Sequence, residues 1–277
     1  MHVIDAHAHI FPDKIAARAS KGIEDFYDIP VSYDGSLSSL LELGAEGGIE
    51  AFLVQSVATV PQQVRAINNF IADCAARYPR RLIGFGALHP ALSDQELQEE
   101  TEYILSLGLH GVKLHPDFQQ FAIDDPAALR IYDLLQGRLP LLLHTGDYRY
   151  SWSHPARLAR VLREFPRLDV IAAHFGGWSQ WKEAEEELAG KRVFVDTSSA
   201  FYELPRETAR RLIAKFSPER VLFGSDYPMW NPGKEKACLF SLGLSDGELE
   251  RICSGNLLEL LGLPRFFEGE GPARGES

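Results

Sequence analysis

Apolar residues recur along this chain in two rhythms that alternate from one end to the other. Short runs with strand-like period two fall at 2–9, 51–57, 82–88, 111–115, 140–144, 168–174, 192–197 and 220–226. Longer stretches in which apolar positions return every three or four residues follow them, at about 37–47, 61–78, 94–107, 126–136, 155–165, 179–189, 205–216 and 245–261. Local punctuation supports the boundaries: Ser36 is placed to cap the first helix, Gly47-Gly48 to end it, Pro61 to open the second and Pro79 to close it. Between the first strand and Ser36, Phe11-Pro12 breaks the pattern, and a loop through Tyr27 and Tyr33 is expected. Eight strands, each followed by a helix, argue for parallel pairing and predict an α/β fold: a (β/α)8 barrel over residues 1–263. An open doubly wound sheet is the alternative, weakened because no glycine-rich phosphate loop follows the first strand. Residues 264–277 are rich in glycine and charge and are expected to fray as a tail, with Phe266 and Phe267 able to dock.

In such a barrel the chemistry gathers where the strands end, so the last inward residue of each strand carries most information. Period two places Asp5, His7 and His9 on one face of the first strand, and Ile4, Ala6 and Ala8 on the other. Further along, the strand ends supply His89, Lys113, His115, His144, His174 and Asp226. Val112, Leu114, Leu141, Leu143, Val221 and Phe223 take the opposite face and are expected to pack on helices. A lone histidine at any of these places is ordinarily a satisfied core or loop residue. Six of them at five strand ends, joined by an aspartate, are costly to bury together unless something binds them. Imidazoles with one carboxylate and no thiolate suit one zinc or another first-row divalent ion, with a position left for water. Asp5, below His7, either hydrogen-bonds a ligand ring or is satisfied by backbone groups. Arg149, Tyr148, Trp152 and Trp178 lie in loops that reach the same end.

Composition excludes more than it names. With 277 residues, 45% of them hydrophobic, and a net charge of -11, the chain lacks the basic face that a nucleic-acid partner requires. Cys74, Cys238 and Cys253 are an odd set without Cys-x-x-Cys spacing, and read as reduced packing residues of a cytoplasmic protein. No apolar run approaches about 20 residues and no leader precedes the first strand, so neither membrane insertion nor secretion is expected.

The segments Ile4-Asp-Ala-His-Ala-His9, Gly111-Val-Lys-Leu-His-Pro116, Leu143-His-Thr-Gly146, Ala173-His-Phe-Gly-Gly177 and Phe223-Gly-Ser-Asp-Tyr-Pro228 resemble the amidohydrolase superfamily. They look most like its amidohydrolase-related branch, which also contains aminocarboxymuconate-semialdehyde decarboxylase. The resemblance implies metal ligands at His7, His9, His144 and Asp226, and a homodimer. It also implies that His174 joins the ion's ligands or polarises its water. Other branches bridge two metals with a carboxylated lysine. Lys113 is the only lysine placed to do this, but it lies two residues before His115 and so one layer deeper. One ion is therefore expected, with Lys113, His115, His89 and Arg149 facing a small-molecule substrate. Asp226 as proton shuttle and His174 beside it make a complete hydrolytic apparatus for an amide, lactone or ester. Metal-dependent, non-oxidative decarboxylation is the alternative, and a barrel that holds metal without turnover is the rival outside enzymology.

Overall fold

The computed structural model describes residues 1–268. Nine parallel strand segments run in chain order: β1 (Ile4–His9), β2 (Ala51–Gln55), β3 (Leu82–Gly84), β4 (Gly86–Ala87), β5 (Val112–Leu114), β6 (Leu141–Leu143), β7 (Val170–Ala172), β8 (Phe194–Asp196) and β9 (Val221–Leu222). Each pairs with the next in sequence, apart from β3 and β4. Those two are successive parts of one stave: Phe85 N between them donates to Val54 O, and Gly86 N donates to Gly111 O. The ring closes where Ala6 N donates to Phe223 O at 2.7 Å and Ala8 bridges Tyr227 in parallel. Eight staves thus make a closed barrel, as the alternation of rhythms predicts.

Two apolar clusters flank the staves. Val112, Leu114, Leu141, Leu143, Val221 and Phe223 pack outward with helix residues such as Ile104, Ile131 and Leu158, as expected. Ile4, Ala6, Leu53, Leu142, Ile171 and Leu222 fill the barrel itself. The placing of Ile4 and Ala6 corrects the simple alternation read for the first strand. A register shift between Asp5 and Ala8 interrupts the strict alternation along this strand. Ala8 alone of the three alanine or isoleucine positions joins the outer cluster.

Helices follow the staves close to their expected limits, among them Leu37–Gly47 with Ser36 accepting from Ser39 N, and Asp94–Ser106 with a capping box from Ser93 and Glu96. The expected loop after the first strand is instead a helix over Asp13–Tyr27. Its cause is legible afterwards: Pro12 precedes it, Asp13 sits in its first turn, and Ile15, Ala19, Ile23 and Phe26 return at helical spacing. A short helix, Pro232–Phe240, was also absent from the expected pattern. Phe267 stacks on His2 with centroids 4.0 Å apart, and Phe266 packs on the barrel-filling cluster, so the expected docking is seen. Residues 269–277 of the expected tail lie outside the described residues.

Candidate active site

The C-terminal ends of the staves form a small cavity of about 20 Å³ walled by His7, His9, Lys113, His144, His174 and Asp226. Tyr27, His115 and Phe118 close its outer side. All but Tyr27, which comes from the last turn of helix Asp13–Tyr27, arrive on a stave end or in the first turn after it, where backbone pairing fixes the chain.

His7 Nε2, His9 Nε2 and Asp226 Oδ1 converge. His7 and His9 are 3.2 Å apart, and Asp226 lies 3.4 Å from the first and 3.5 Å from the second. The His7 tautomer follows from its other nitrogen, which stands 2.9 Å from Asp196 Oδ2. A carboxylate only accepts, so Nδ1 carries the hydrogen and Nε2 presents a lone pair to a second imidazole nitrogen and a carboxylate. Lys113 Nζ, 3.2 Å from His7 Nε2, meets one of these electron pairs, and a divalent ion among the three atoms would meet all of them. The spacing fits one: tetrahedral ligands at about 2.0–2.1 Å from an ion stand about 3.3–3.4 Å from each other. His7, His9 and Asp226 therefore suit a divalent ion in both donor type and separation.

The remaining expected residues sort themselves differently. His144 turns Nε2 to Gly146 O at 2.9 Å and sets Nδ1 3.0 Å from His174 Nε2, so in this arrangement it pairs with His174 rather than with His7 and His9. It also groups with His115 and Asp117. His174 Nδ1 meets Ser198 Oγ at 2.9 Å and the Ser198 carbonyl at 3.1 Å. Lys113 is buried, with Nζ 3.2 Å from His7 Nε2, on the inner side of the cluster. His115 receives or gives a hydrogen bond with Tyr27 Oη at 2.9 Å and lies flat between Phe118 and His144, 3.9 Å from each. His89 does not wall the cavity; its Nδ1 accepts from Ala91 N at 3.1 Å, closing its own turn.

Arg149 is likewise committed elsewhere. It grips Asp147 through two nitrogens at 2.9 and 2.7 Å and donates to the Phe26 carbonyl at 2.6 Å, with its guanidinium over the Phe26 ring. This fastens the last turn of helix Asp13–Tyr27 across the barrel mouth. Tyr148 is exposed, whereas Trp178 is buried and meets Tyr27 edge to face at 4.9 Å. Asp5 is satisfied by His7 N, Ser225 N and Ser225 Oγ, and orients no ring.

Electrostatics sharpen the division. Burial drives His9, His115 and His144 well below the ordinary imidazole range, assisted in each case by Lys113 or a neighbouring ring, so they stand neutral as ligands or acceptors must. Burial takes His174 down to about 4, against the pull of Asp226. Lys113 is lowered to about 8 by burial, opposed by Asp226 and Asp196. Burial would raise both Asp196 and Asp226, but His7 and its neighbours outweigh it and hold both carboxyls below the usual range. Asp117, buried with neither oxygen hydrogen-bonded, is pushed up to about 7.

The sequence reading passed over Asp196, Ser198, Asp117 and Tyr27. Asp196 had a usable sign, since Val193-Phe-Val-Asp196 ends a stave on the same inward rung that yields His and Asp elsewhere. The backbone adds one more mark of a functional site: His174, Ser199 and Asp226 all adopt positive φ, at 61°, 47° and 63°. Non-glycine residues rarely adopt this region, and each such placement costs on the order of 1–3 kcal/mol.

Comparison with known proteins agrees with this construction. Residues 4–263 match the Amidohydrolase family. A gamma-resorcylate decarboxylase from Rhodococcus jostii is 24% identical over 289 residues, covering 81% of this chain and 87% of that one. A 2-amino-3-carboxymuconate-6-semialdehyde decarboxylase from Dictyostelium discoideum is 31% identical over 238 residues, covering 71% of this chain and 66% of that one. Among solved structures, a dihydroxybenzoic acid decarboxylase from Polaromonas, with bound manganese and the inhibitor 2-nitroresorcinol, superposes with a TM-score of 0.71 at 18% identity, covering 95% of this chain and 97% of that one. A closed barrel of eight staves, histidines and an aspartate converging at its mouth, and a family match over nearly the whole length lead to one conclusion: this chain belongs to the amidohydrolase family.

Proposed function

We propose that this protein is a metal-dependent, non-oxidative decarboxylase of a small aromatic or enoic carboxylic acid. The observation that carries the reading is that the curated relatives named above, and a third, are decarboxylases whose sequences run along most of this chain. It displaces hydrolysis, the first expectation from the sequence, as the better supported activity. His7, His9 and Asp226 would hold the ion, and His144 would stand beside them with His174. Manganese in the Polaromonas structure makes that metal as good a candidate as the zinc expected from the donor set. When bound, the ion supplies positive charge that fixes a carboxylate or phenol-type oxygen of the substrate.

Decarboxylation breaks the bond between the carboxyl carbon and its neighbour, leaves the electron pair on the substrate carbon, and requires one proton there. Lys113 offers a buried cation beside His7, suited to the charge of the acid before it leaves. His174 and Asp226 are the groups placed to handle the proton, with Ser199 Oγ bonded to the second Asp226 oxygen at 2.5 Å to keep that carboxylate aimed. The aromatic side chains of Tyr27 and Phe118 in the cavity wall suit a flat, conjugated substrate that can delocalise the electron pair.

The test uses protein loaded with zinc or manganese and a panel of aromatic and enoic acids beside lactones, esters and amides. Carbon dioxide release from an acid, lowered at least about a hundredfold in Asp226→Asn, is expected. Turnover of a lactone, ester or amide with no carbon dioxide from any acid would return the assignment to hydrolysis.

A further inference from the structure

The cavity among the strand-end histidines, at about 20 Å³, has room for little more than one water-sized group, so most of any substrate must lie outside it. A second space of about 700 Å³ adjoins it, and the two share His9, Ile23 and Phe118 as wall. That volume is typical of a site for a ligand well beyond a single ring. One side is helix Asp13–Tyr27, presenting Ile15, Ala19, Ile23 and Phe26; the other includes Val57, Ile67 and Phe70. Although the chain carries a net charge of -11, no carboxylate lines this space, and its charged lining residues among those described are Lys14 and Arg18. From Ile23, at the inner cavity, the helix runs nine residues to Lys14, about 14 Å.

Gly22 supplies an independent observation. It lies inside the helix, where glycine is destabilising relative to alanine, yet its φ is not positive and a Cβ built on it meets nothing within 4 Å. Neither backbone conformation nor packing calls for glycine there. Gly22, exposed like Lys14 and Arg18, lines the larger space in the same stripe, each four residues from the next, so a bulky side chain on it would stand over the rim between the cations and the inner cavity.

We propose that the substrate is an elongated acid. Its reacting carboxylate lies in the inner cavity, beside the ion that His7, His9 and Asp226 would hold, its apolar body runs along the helix, a second anionic group reaches Arg18 and Lys14, and Gly22 keeps the passage open. The proposal rests on reading the strand-end cavity as the reacting site.

Titration calorimetry of the metal-loaded protein with benzoate, 4-pentylbenzoate and 4-(4-carboxybutyl)benzoate tests it. Affinity is expected to rise by about a hundredfold or more with the pentyl chain, at about fourfold per buried methylene, and again with the distal carboxylate. Gly22→Phe should cancel the gain of both long acids while leaving benzoate unchanged, and Gly22→Ala, with unchanged circular dichroism, serves as the folding control. Lys14→Ala combined with Arg18→Ala should cancel only the last increment. Equal affinities for the three acids, or a Gly22→Phe effect as large on benzoate as on the others, would overturn the proposal. A dimer in sedimentation that dissociates in Gly22→Phe would assign the cleft to a second copy and overturn it as well. Carbon dioxide release is measured separately, so loss of the decarboxylase reading and loss of this one are told apart.

Discussion

Buried carboxylates in this barrel meet two fates, decided by what faces them. Asp196 has His7 Nδ1 at 2.9 Å and accepts from the His174 and Ser198 amides, so it stays charged at no exposure. Glu235, on helix Pro232–Phe240, has an oxygen without a partner, and burial, with Asp5 and Asp226 nearby, pushes it up to about 8. Its folded pKa stands above the ordinary 4.5, so between those values the unfolded chain binds fewer protons and stability falls as pH rises. Glu235→Gln removes the group that must stay protonated. It should raise stability by about 1–3 kcal/mol at pH 8 and give no such gain below about pH 4.5, as read from thermal melts at the two conditions. A gain of equal size at both would mean that packing, not ionisation, is responsible.

Helix Asp13–Tyr27 is the element on which the site's outer wall depends, and it is held at one end by a residue far away in sequence. Arg149 accounts for the Phe26 carbonyl in the last turn, while Asp147 balances its charge inside the protein. Arg149→Ala frees both, leaving a fully buried carboxylate with the residue 149 amide but no countercharge, and should cost about 3–5 kcal/mol. Hydrogen exchange should then quicken first across residues 13–27, and protection there equal to the parent protein would contradict the role given to Arg149. The same helix marks where sequence stopped being informative. Strands and the helices between them were legible because both faces of each stave are apolar or chemically distinctive, and caps such as Ser36 and Ser93 lie where the pattern turns. Residues 13–27 were not, because a helix that lines a cleft half-buries its apolar stripe, and Gly22 interrupts what remains. The register shift in β1 escaped for a related reason: it is set by pairing with β2 and by the chain returning at residues 223–227, neither of which leaves a local trace. His7, His9 and Asp226 stood out by position on their staves, whereas Asp196 sat unremarked in its strand and Asp117 in a loop until the fold brought them against rings.

At the scale of the whole molecule, the barrel is completed along a single seam. Ala6 N to Phe223 O, His9 N to Tyr227 O and Asp226 N to His7 O tie the first stave to the last. On the ligand set proposed above, an ion among His7, His9 and Asp226 spans this seam, closing a loop of roughly two hundred residues that would otherwise carry its full closure entropy. Chelation should therefore lower the melting temperature, with about 3–4 kcal/mol of stabilisation lost from protein held at 100–1,000 times its dissociation constant for metal. Exchange of the Ala6, His9 and Asp226 amides should accelerate before that of the β5 to β7 amides. Uniform acceleration around the ring would place the ion elsewhere. The seam also orders events during synthesis. A chain still emerging from the ribosome exposes two histidines early and lacks their carboxylate until more than two hundred further residues have been made, so on that ligand set the ion's three holders meet only once the last stave has closed against the first.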